Sequence, residues 1–468
     1  MRQRKHLNSF IRNTDDSRDS YTLIDFIEGI PLPFQTHNQK VVTVLGANGT
    51  MGRNVSAIFA SFGECIVFMV CRDMEKANEA KELAIQSIRC ESIGKNLFPG
   101  TYENLDSYIK RSNIVFESVS EDFQIKKNVY QKIKPFLKDD AIIATGTSGL
   151  SIKELSEIFD KHKNRFFGIH MFNPPYNLTL CELVTHSDEQ RETAIQLKDY
   201  LQTKLNRTVV EVKDEPSFLG NRIGFFFIGE AMKLAEKYQD QGGIDYIDSI
   251  LGCFTGRNMS PLVTADFVGL DVTKSIVDYI YENVLDEYRD SFAAPDYLNQ
   301  LVMENKLGRK VNKGFYFKDR DRQLNFVYDI KQNNYRLMNN YQFYFANEMI
   351  KLFKNGQYEK GINLLIDDES QEATLCKKML LSYIVYSLKI SSEVSTDIAS
   401  CDDAMATGFS WIPPIALIEL LGGKEKTKYL INKYLDARYQ HIINDKDFYK
   451  CIPEHSKYDF RPFLKAKY

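Results

Sequence analysis

The chain has 468 residues, 43% of them hydrophobic and 26% charged, with a formal net charge of −3. That length exceeds one compact core and suits about three domains, while the slightly acidic balance excludes a broad basic surface for nucleic acid. Apolar runs such as 65–70 and 141–144 fall far short of the ~20 residues that cross a bilayer, so no membrane segment is expected.

In chain order, residues 1–38 begin with Arg2, Arg4 and Lys5, but no apolar stretch follows, and Asp15, Asp16 and Asp19 are unlike a transit peptide. They read as a polar N-terminal extension. Residues 39–213 alternate short apolar runs with amphipathic helical stretches, the pattern of a doubly wound α/β domain. Strands are predicted at 40–45, 65–70, 113–117, 141–145 and 165–170. The first helix places Val55, Ile58, Phe59 and Phe62 on one face, with Gly63 as its stop. From Asp214 the texture becomes helical, with helices predicted at 217–237, 243–253, 260–283 and 293–306, and Gly314–Phe317 closing this part, so that 214–325 forms one helical domain. A second, 330–468, carries helices at 336–355, 358–366, 371–391, 396–407 and 412–421. It reads as a second copy of the first, with Asp248, Pro261 and Gly269 laid against Asp403, Pro414 and Gly422. The eight cysteines are scattered and form no CxxC pair, so neither disulfides, a catalytic thiol nor a metal site is expected, and the reading is a reducing, cytoplasmic compartment.

Within the first domain, Gly46-Ala-Asn48-Gly49-Thr50-Met51-Gly52 joins the first strand to the first helix. Glycines here permit a tight turn, close approach of a pyrophosphate to the backbone, and close helix packing, so these residues are predicted to hold a dinucleotide. The second strand ends at Cys71-Arg72-Asp73, where an acidic residue suits the ribose of NAD and an arginine the 2′-phosphate of NADP. Arg72 matches a phosphate, stacks on adenine or points to solvent, and Asp73 is a candidate for the acidic role. The cofactor is therefore read as NAD or NADP.

Four further segments follow in order: Thr145-Gly-Thr-Ser148-Gly-Leu, Phe167-Gly-Ile-His170-Met-Phe-Asn173-Pro174, Cys181-Glu182-Leu-Val, and Asp214-Glu-Pro-Ser-Phe-Leu-Gly-Asn221-Arg222. With the glycine loop, they resemble the 3-hydroxyacyl-CoA dehydrogenase family over residues 40–320. The resemblance implies a Rossmann-like doubly wound domain followed by mostly α-helical domains. It implies that His170 is the general base, Glu182 its orienting carboxylate, and Ser148 and Asn221 the donors to the reacting oxygen, with Glu121 and Lys126 lining the cofactor site and Lys310 approaching the cofactor. The chemistry agrees, because oxidising a secondary alcohol requires a base near neutral pKa, and a carboxylate on the other ring nitrogen sets its tautomer. Asn173 reads as a turn residue, and Ser148 has a second reading as the N-cap of a helix at 151–160.

Three departures bear on the substrate. Gly146 stands where the family carries asparagine, Cys71 where it carries an acidic residue, and a single helical stretch at 74–90 replaces the longer hairpin that clasps CoA. The expected substrate is an acyl thioester carried by CoA or by a carrier protein, and the expected oligomeric state is a homodimer or a monomer. Alternatives are a dehydrogenase of a free small hydroxy acid and a non-catalytic nucleotide-binding protein.

Overall fold

A computed structural model describes residues 39–319 and 323–464; the extension at 1–38 lies outside them. The first domain is built on one sheet of eight strands, β1 (Val41–Leu45), β2 (Ile66–Cys71), β3 (Leu97–Thr101), β4 (Ile114–Glu117), β5 (Ile142–Thr145), β6 (Phe166–Met171), β7 (Leu180–Thr185) and β8 (Thr208–Lys213). Their order is β3-β2-β1-β4-β5-β6-β7-β8. The chain reverses direction once, between β6 and β7, whose pairing is antiparallel, and β8 runs parallel to β7. The predicted strands all form within about a residue of their expected bounds, because short, mainly apolar runs bounded by turns are buried on both faces.

β7 and β8 were not among the predicted strands, and neither was β3. Its sequence, LFPGT, carries Pro99 and Gly100, which argue against a central strand. At the sheet edge only one side needs pairing, and β3 joins β2 in parallel. The single helix predicted after β2 is present as Met74–Ile88, followed by a tight turn at Glu91–Asn96 and, beyond β3, a short helix Leu105–Ile109. The helix Thr50–Ser61 buries Val55, Ile58 and Phe59 against the sheet as expected. Phe62 does not join them: it lies just past the last turn, 43% exposed, beneath the Arg207 guanidinium.

The helical run that follows begins with Gly220–Lys237, and its predicted helix at 260–283 is broken in two, Pro261–Val268 and Leu270–Asn283, by Gly269 at φ 107°. Between the two helical runs lies a three-stranded antiparallel sheet, β9 (Tyr316–Asp319), β10 (Leu324–Asp329) and β11 (Asn334–Leu337), which the helical reading of 336–355 overran. The helix there starts at Tyr344. The second run is centred on Gln371–Val394, and that helix packs on Gly220–Lys237 through Phe226 and Tyr386, stacked at 3.9 Å between ring centres.

Both runs use the same local device. Asp248 accepts the N–H groups of Leu262 (2.9 Å) and Val263 (3.1 Å) and so caps a helix opening on Pro261. In the second run the residue that does this is Asp402, which accepts from Ile415 (2.8 Å) at the helix opening on Pro414. The expected alignment on Asp403 is therefore off by one; Asp403 instead binds Lys457 and Tyr458.

Burial pushes the carboxyls of Asp248 up to about 6, and those of Asp266 and Asp402 up to about 7. A carboxyl with a higher pKa folded than unfolded favours the folded state while protonated. That contribution is complete below the unfolded value near ~3.9 and is lost as pH rises through the folded one. Asp402→Asn keeps an acceptor for Ile415 and a polar group for Ser456 but no longer titrates. Thermal melts between pH 5 and 8 should therefore fall less steeply for this variant, by on the order of 2 kcal/mol of stability. Parallel curves for the two proteins would refute the assignment.

Candidate active site

In parallel strands all C-terminal ends lie on one edge, and a crevice opens there where the strand order reverses, here between β1 and β4. The glycine loop leaves β1 at this point. Gly46 has φ 78°, and a Cβ on it would lie 2.5 Å from the Ser118 carbonyl oxygen at the end of β4. A Cβ on Gly52 would lie 2.4 Å from the Gly46 carbonyl oxygen, so the helix packs tightly on its own loop. The helix Thr50–Ser61 has no side-chain cap and no acidic residue in its first turn. Its positive end faces the loop, which fits a pyrophosphate at Thr50 and Met51, with the Gly49 N–H held by the Gly46 carbonyl oxygen (3.1 Å).

Next to it, β4 ends on Glu117, an acidic residue closing an apolar strand, which the sequence reading passed over. Fully buried, it accepts hydrogen bonds from Val119 N (2.6 Å), Lys126 Nζ (2.8 Å), Tyr130 OH (2.5 Å) and Thr145 Oγ1 (2.8 Å). Burial and the Glu117 charge push the Tyr130 phenol far up, so it remains a donor. Lys126, buried itself, also reaches Glu121 at 3.3 Å. Glu121 in turn accepts from Thr147 Oγ1 (2.5 Å) and from the backbone N–H of Ser148 (2.8 Å). Glu121 and Lys126 thus meet each other and the Ser148 turn. Ser148 itself is half-buried and caps nothing: the helix Ile152–Ser156 is capped by Ser151 and by Asp214, which accepts from Ile152 and Lys153 at 2.8 Å each.

One strand further, His170 and Glu182 face each other as register partners on β6 and β7. His170 Nδ1 lies 2.6 Å from Glu182 Oε2. Glu182 Oε1 accepts from the N–H groups of Leu219 (3.0 Å) and Gly220 (2.7 Å), the start of the helix Gly220–Lys237. With both oxygens acting as acceptors, the network assigns the ring proton to Nδ1 and leaves Nε2 its lone pair. Phe172 (4.7 Å) and Phe218 (5.6 Å) hold the ring between them. Ser217 and Phe218, neither of them glycine, stand in left-handed conformations at φ 58° and 55°, a strain that sets the helix start against Glu182. Asn221, 6% exposed, is the next residue of that helix. The second helical run reaches this wall as well, with Phe409 against Phe172 at 5.8 Å.

Asn173 is tied to Asn54 (3.2 Å), consistent with a turn role. Lys310 pairs with Asp271 at 2.5 Å. The Asp73 side chain caps the helix Met74–Ile88 through Lys76 N (2.8 Å). Arg72 is exposed at the end of β2. Among the described residues there is no group of three or more His, Cys, Asp or Glu side chains that could hold a metal, and no helix long and apolar enough to cross a membrane.

The family model for the 3-hydroxyacyl-CoA dehydrogenase NAD-binding domain matches residues 41–215, and that for the C-terminal domain of the same family matches 218–318. A probable 3-hydroxyacyl-CoA dehydrogenase of Bacillus subtilis is 25% identical over 83% of this chain, which spans 52% of that relative. The mitochondrial hydroxyacyl-coenzyme A dehydrogenase of Sus scrofa is 28% identical over 59% of this chain and 90% of its own length. The solved 3-hydroxybutyryl-CoA dehydrogenase of Escherichia coli K12 is 20% identical and shares the fold over 86% of this chain and 96% of its own, at a TM-score of 0.63. The chain spans about half the length of the first of these relatives, and the two matched domains place it in the 3-hydroxyacyl-CoA dehydrogenase family.

Proposed function

We propose that this chain interconverts 3-hydroxyacyl and 3-oxoacyl thioesters by hydride exchange with a nicotinamide dinucleotide. The observation that carries the reading is the buried His170–Glu182 pair at 2.6 Å, its carboxylate fastened to a helix start, on the same sheet edge as the glycine loop. The bound dinucleotide supplies the acceptor for the C3 hydride. His170 Nε2 takes the hydroxyl proton as the C3–H bond breaks, and the O–H electron pair becomes the second bond of the carbonyl; reduction runs the same transfer backwards. Glu182 keeps the ring in the tautomer that leaves Nε2 free and stabilises the imidazolium once it forms. Ser148 and Asn221 donate to the oxygen on which charge develops, with Glu121 and Lys126 holding the Ser148 turn.

The favoured carrier is CoA, supported by the family and by the relatives' names. A carrier-protein thioester is the second reading. The segment after β2 favours it, for it forms one helix, an edge strand and a short helix in place of a projecting hairpin. Turnover of 3-hydroxybutyrate as its CoA ester, as a carrier-bound ester and as the free acid tests this. A thioester should exceed the free acid in kcat/KM by at least about a hundredfold, since the pantetheine arm contributes binding energy the acid lacks. Equal turnover of the free acid would sink the thioester assignment.

We read 39–213, 214–325 and 330–468 as the domains, the last a second copy of the helical domain that covers the Gly220–Lys237 helix within one chain. A monomer in light scattering fits that reading.

A further inference from the structure

We propose that the dinucleotide site accepts a 2′-phosphorylated cofactor, NADP, with Arg72 receiving the phosphate at the end of β2. This rests on the glycine loop being the dinucleotide site.

The loop and the strand end are joined. Gly46 N and Ala47 N donate to the Val70 carbonyl at 3.0 and 3.2 Å, and the Asn48 N–H points at the Cys71 thiol. A ribose attached to a pyrophosphate on this loop therefore lies over Cys71 and Arg72. Selection for NAD at such a place rests on a carboxylate that accepts both ribose hydroxyls and repels a phosphate. The strand end itself, Cys71 and Arg72, carries no carboxylate. Cys71 is buried, and burial pushes its thiol up to about 11, so it is neutral and too short to reach a diol as an acceptor pair. Asp73, two residues on, spends its carboxylate on the Lys76 backbone N–H at 2.8 Å and on the Lys76 ammonium at 3.3 Å. Glu117 and Glu121 are bound within the network described above.

What remains is receptive to an anion. The Arg72 side chain is exposed, with no ion pair to a described residue, and Tyr102 follows the neighbouring strand, one residue past the Cys71–Thr101 register pair. Burial pushes the Tyr102 phenol up to about 12, so it stays a donor. A guanidinium fork and a phenolic O–H beside an open ribose edge suit a phosphate carrying roughly −1.5 to −2 charges better than they suit a diol.

The test measures binding as well as turnover. Titration of the full-length protein with NADPH and NADH by nucleotide fluorescence, and competition by 2′,5′-ADP against 5′-ADP, read the site without any substrate. The wild type should bind NADPH at least as tightly as NADH, and 2′,5′-ADP should compete better than 5′-ADP. Arg72→Ala lies on the surface, away from the reacting groups. It should weaken NADPH and 2′,5′-ADP about tenfold to a hundredfold, the value of a charge-assisted hydrogen-bond pair, with NADH changed less than about threefold. The proposal is overturned if NADH binds more than about tenfold tighter than NADPH. It is equally overturned if the variant weakens both dinucleotides alike, which is the signature of adenine stacking. Failure of both dinucleotides to bind would overturn it together with the dinucleotide site itself, and is distinguishable from either.

Discussion

His170→Gln should lower kcat by about 10³- to 10⁴-fold and leave the dissociation constant of the dinucleotide within about twofold of wild type. Glutamine is close to histidine in reach, and its amide can still donate to Glu182 Oε2, so the buried carboxylate keeps all of its partners. What the amide lacks is a lone pair basic enough to take a proton near neutral pH. The alcohol must then lose its proton to water, which the ring's buried position between Phe172 and Phe218 makes scarce. Cofactor affinity should survive because the glycine loop leaves β1, and β4 and β5 lie between it and β6. Steady-state kinetics paired with nucleotide titration checks both halves. Near-normal turnover by this variant would remove His170 from the mechanism.

Glu182→Gln should be nearly as severe for turnover, about 10²- to 10⁴-fold, and milder for stability. The substituted amide has one oxygen where the carboxylate has two, and it must choose between two sets of donors. If the oxygen stays with Leu219 N and Gly220 N, the NH₂ group faces His170 Nδ1. That nitrogen must then accept, which moves the ring proton to Nε2 and removes the base. If the amide turns over, two N–H groups at a buried helix start lose their acceptor, costing roughly 1–3 kcal/mol each. The first arrangement costs less, so the protein should fold, melt only a few degrees lower, and carry the wrong tautomer. Nitrogen chemical shifts of the imidazole report the tautomer directly. A variant with wild-type shifts and lost activity would show that Glu182 acts in some other way.

The buried network around Glu117 gives the site a support that extends beyond these two residues. A carboxylate with four donors and no exposure is costly to desolvate unless every partner is present. Its members come from the end of β4, the end of β5 and the helix Phe123–Ile133, so it locks three elements that together carry Glu121 to the Ser148 turn. The strained Ser217–Phe218 step does the same on the far side, where it aims a helix start at Glu182. The Ser148 turn and the catalytic pair are thus each fixed from behind.

Much of this molecule was readable from its residues in order. Five-residue apolar runs between turn residues announced the central strands, and a glycine-spaced loop between strand and amphipathic helix announced the cofactor cradle. Both signals are local, because a strand's burial and a turn's φ values depend on residues within a few positions. The pairing of His170 with Glu182 was legible only through the resemblance; that β7 returns antiparallel to set them opposite each other is the structure's contribution. Four features depended on the tertiary structure. Leu97–Thr101 became a strand only because an edge tolerates Pro99. The segment Tyr316–Leu337 became a small sheet within an otherwise helical stretch. Glu117 acquired donors 9, 13 and 28 residues away. Glu182 found its backbone amides 37 and 38 residues downstream. The residues of this chain set out which groups can do chemistry and roughly where each lies. The folded structure decided which of them hold one another, because the partners of a buried polar group are chosen by chain packing and leave no periodic trace along the sequence.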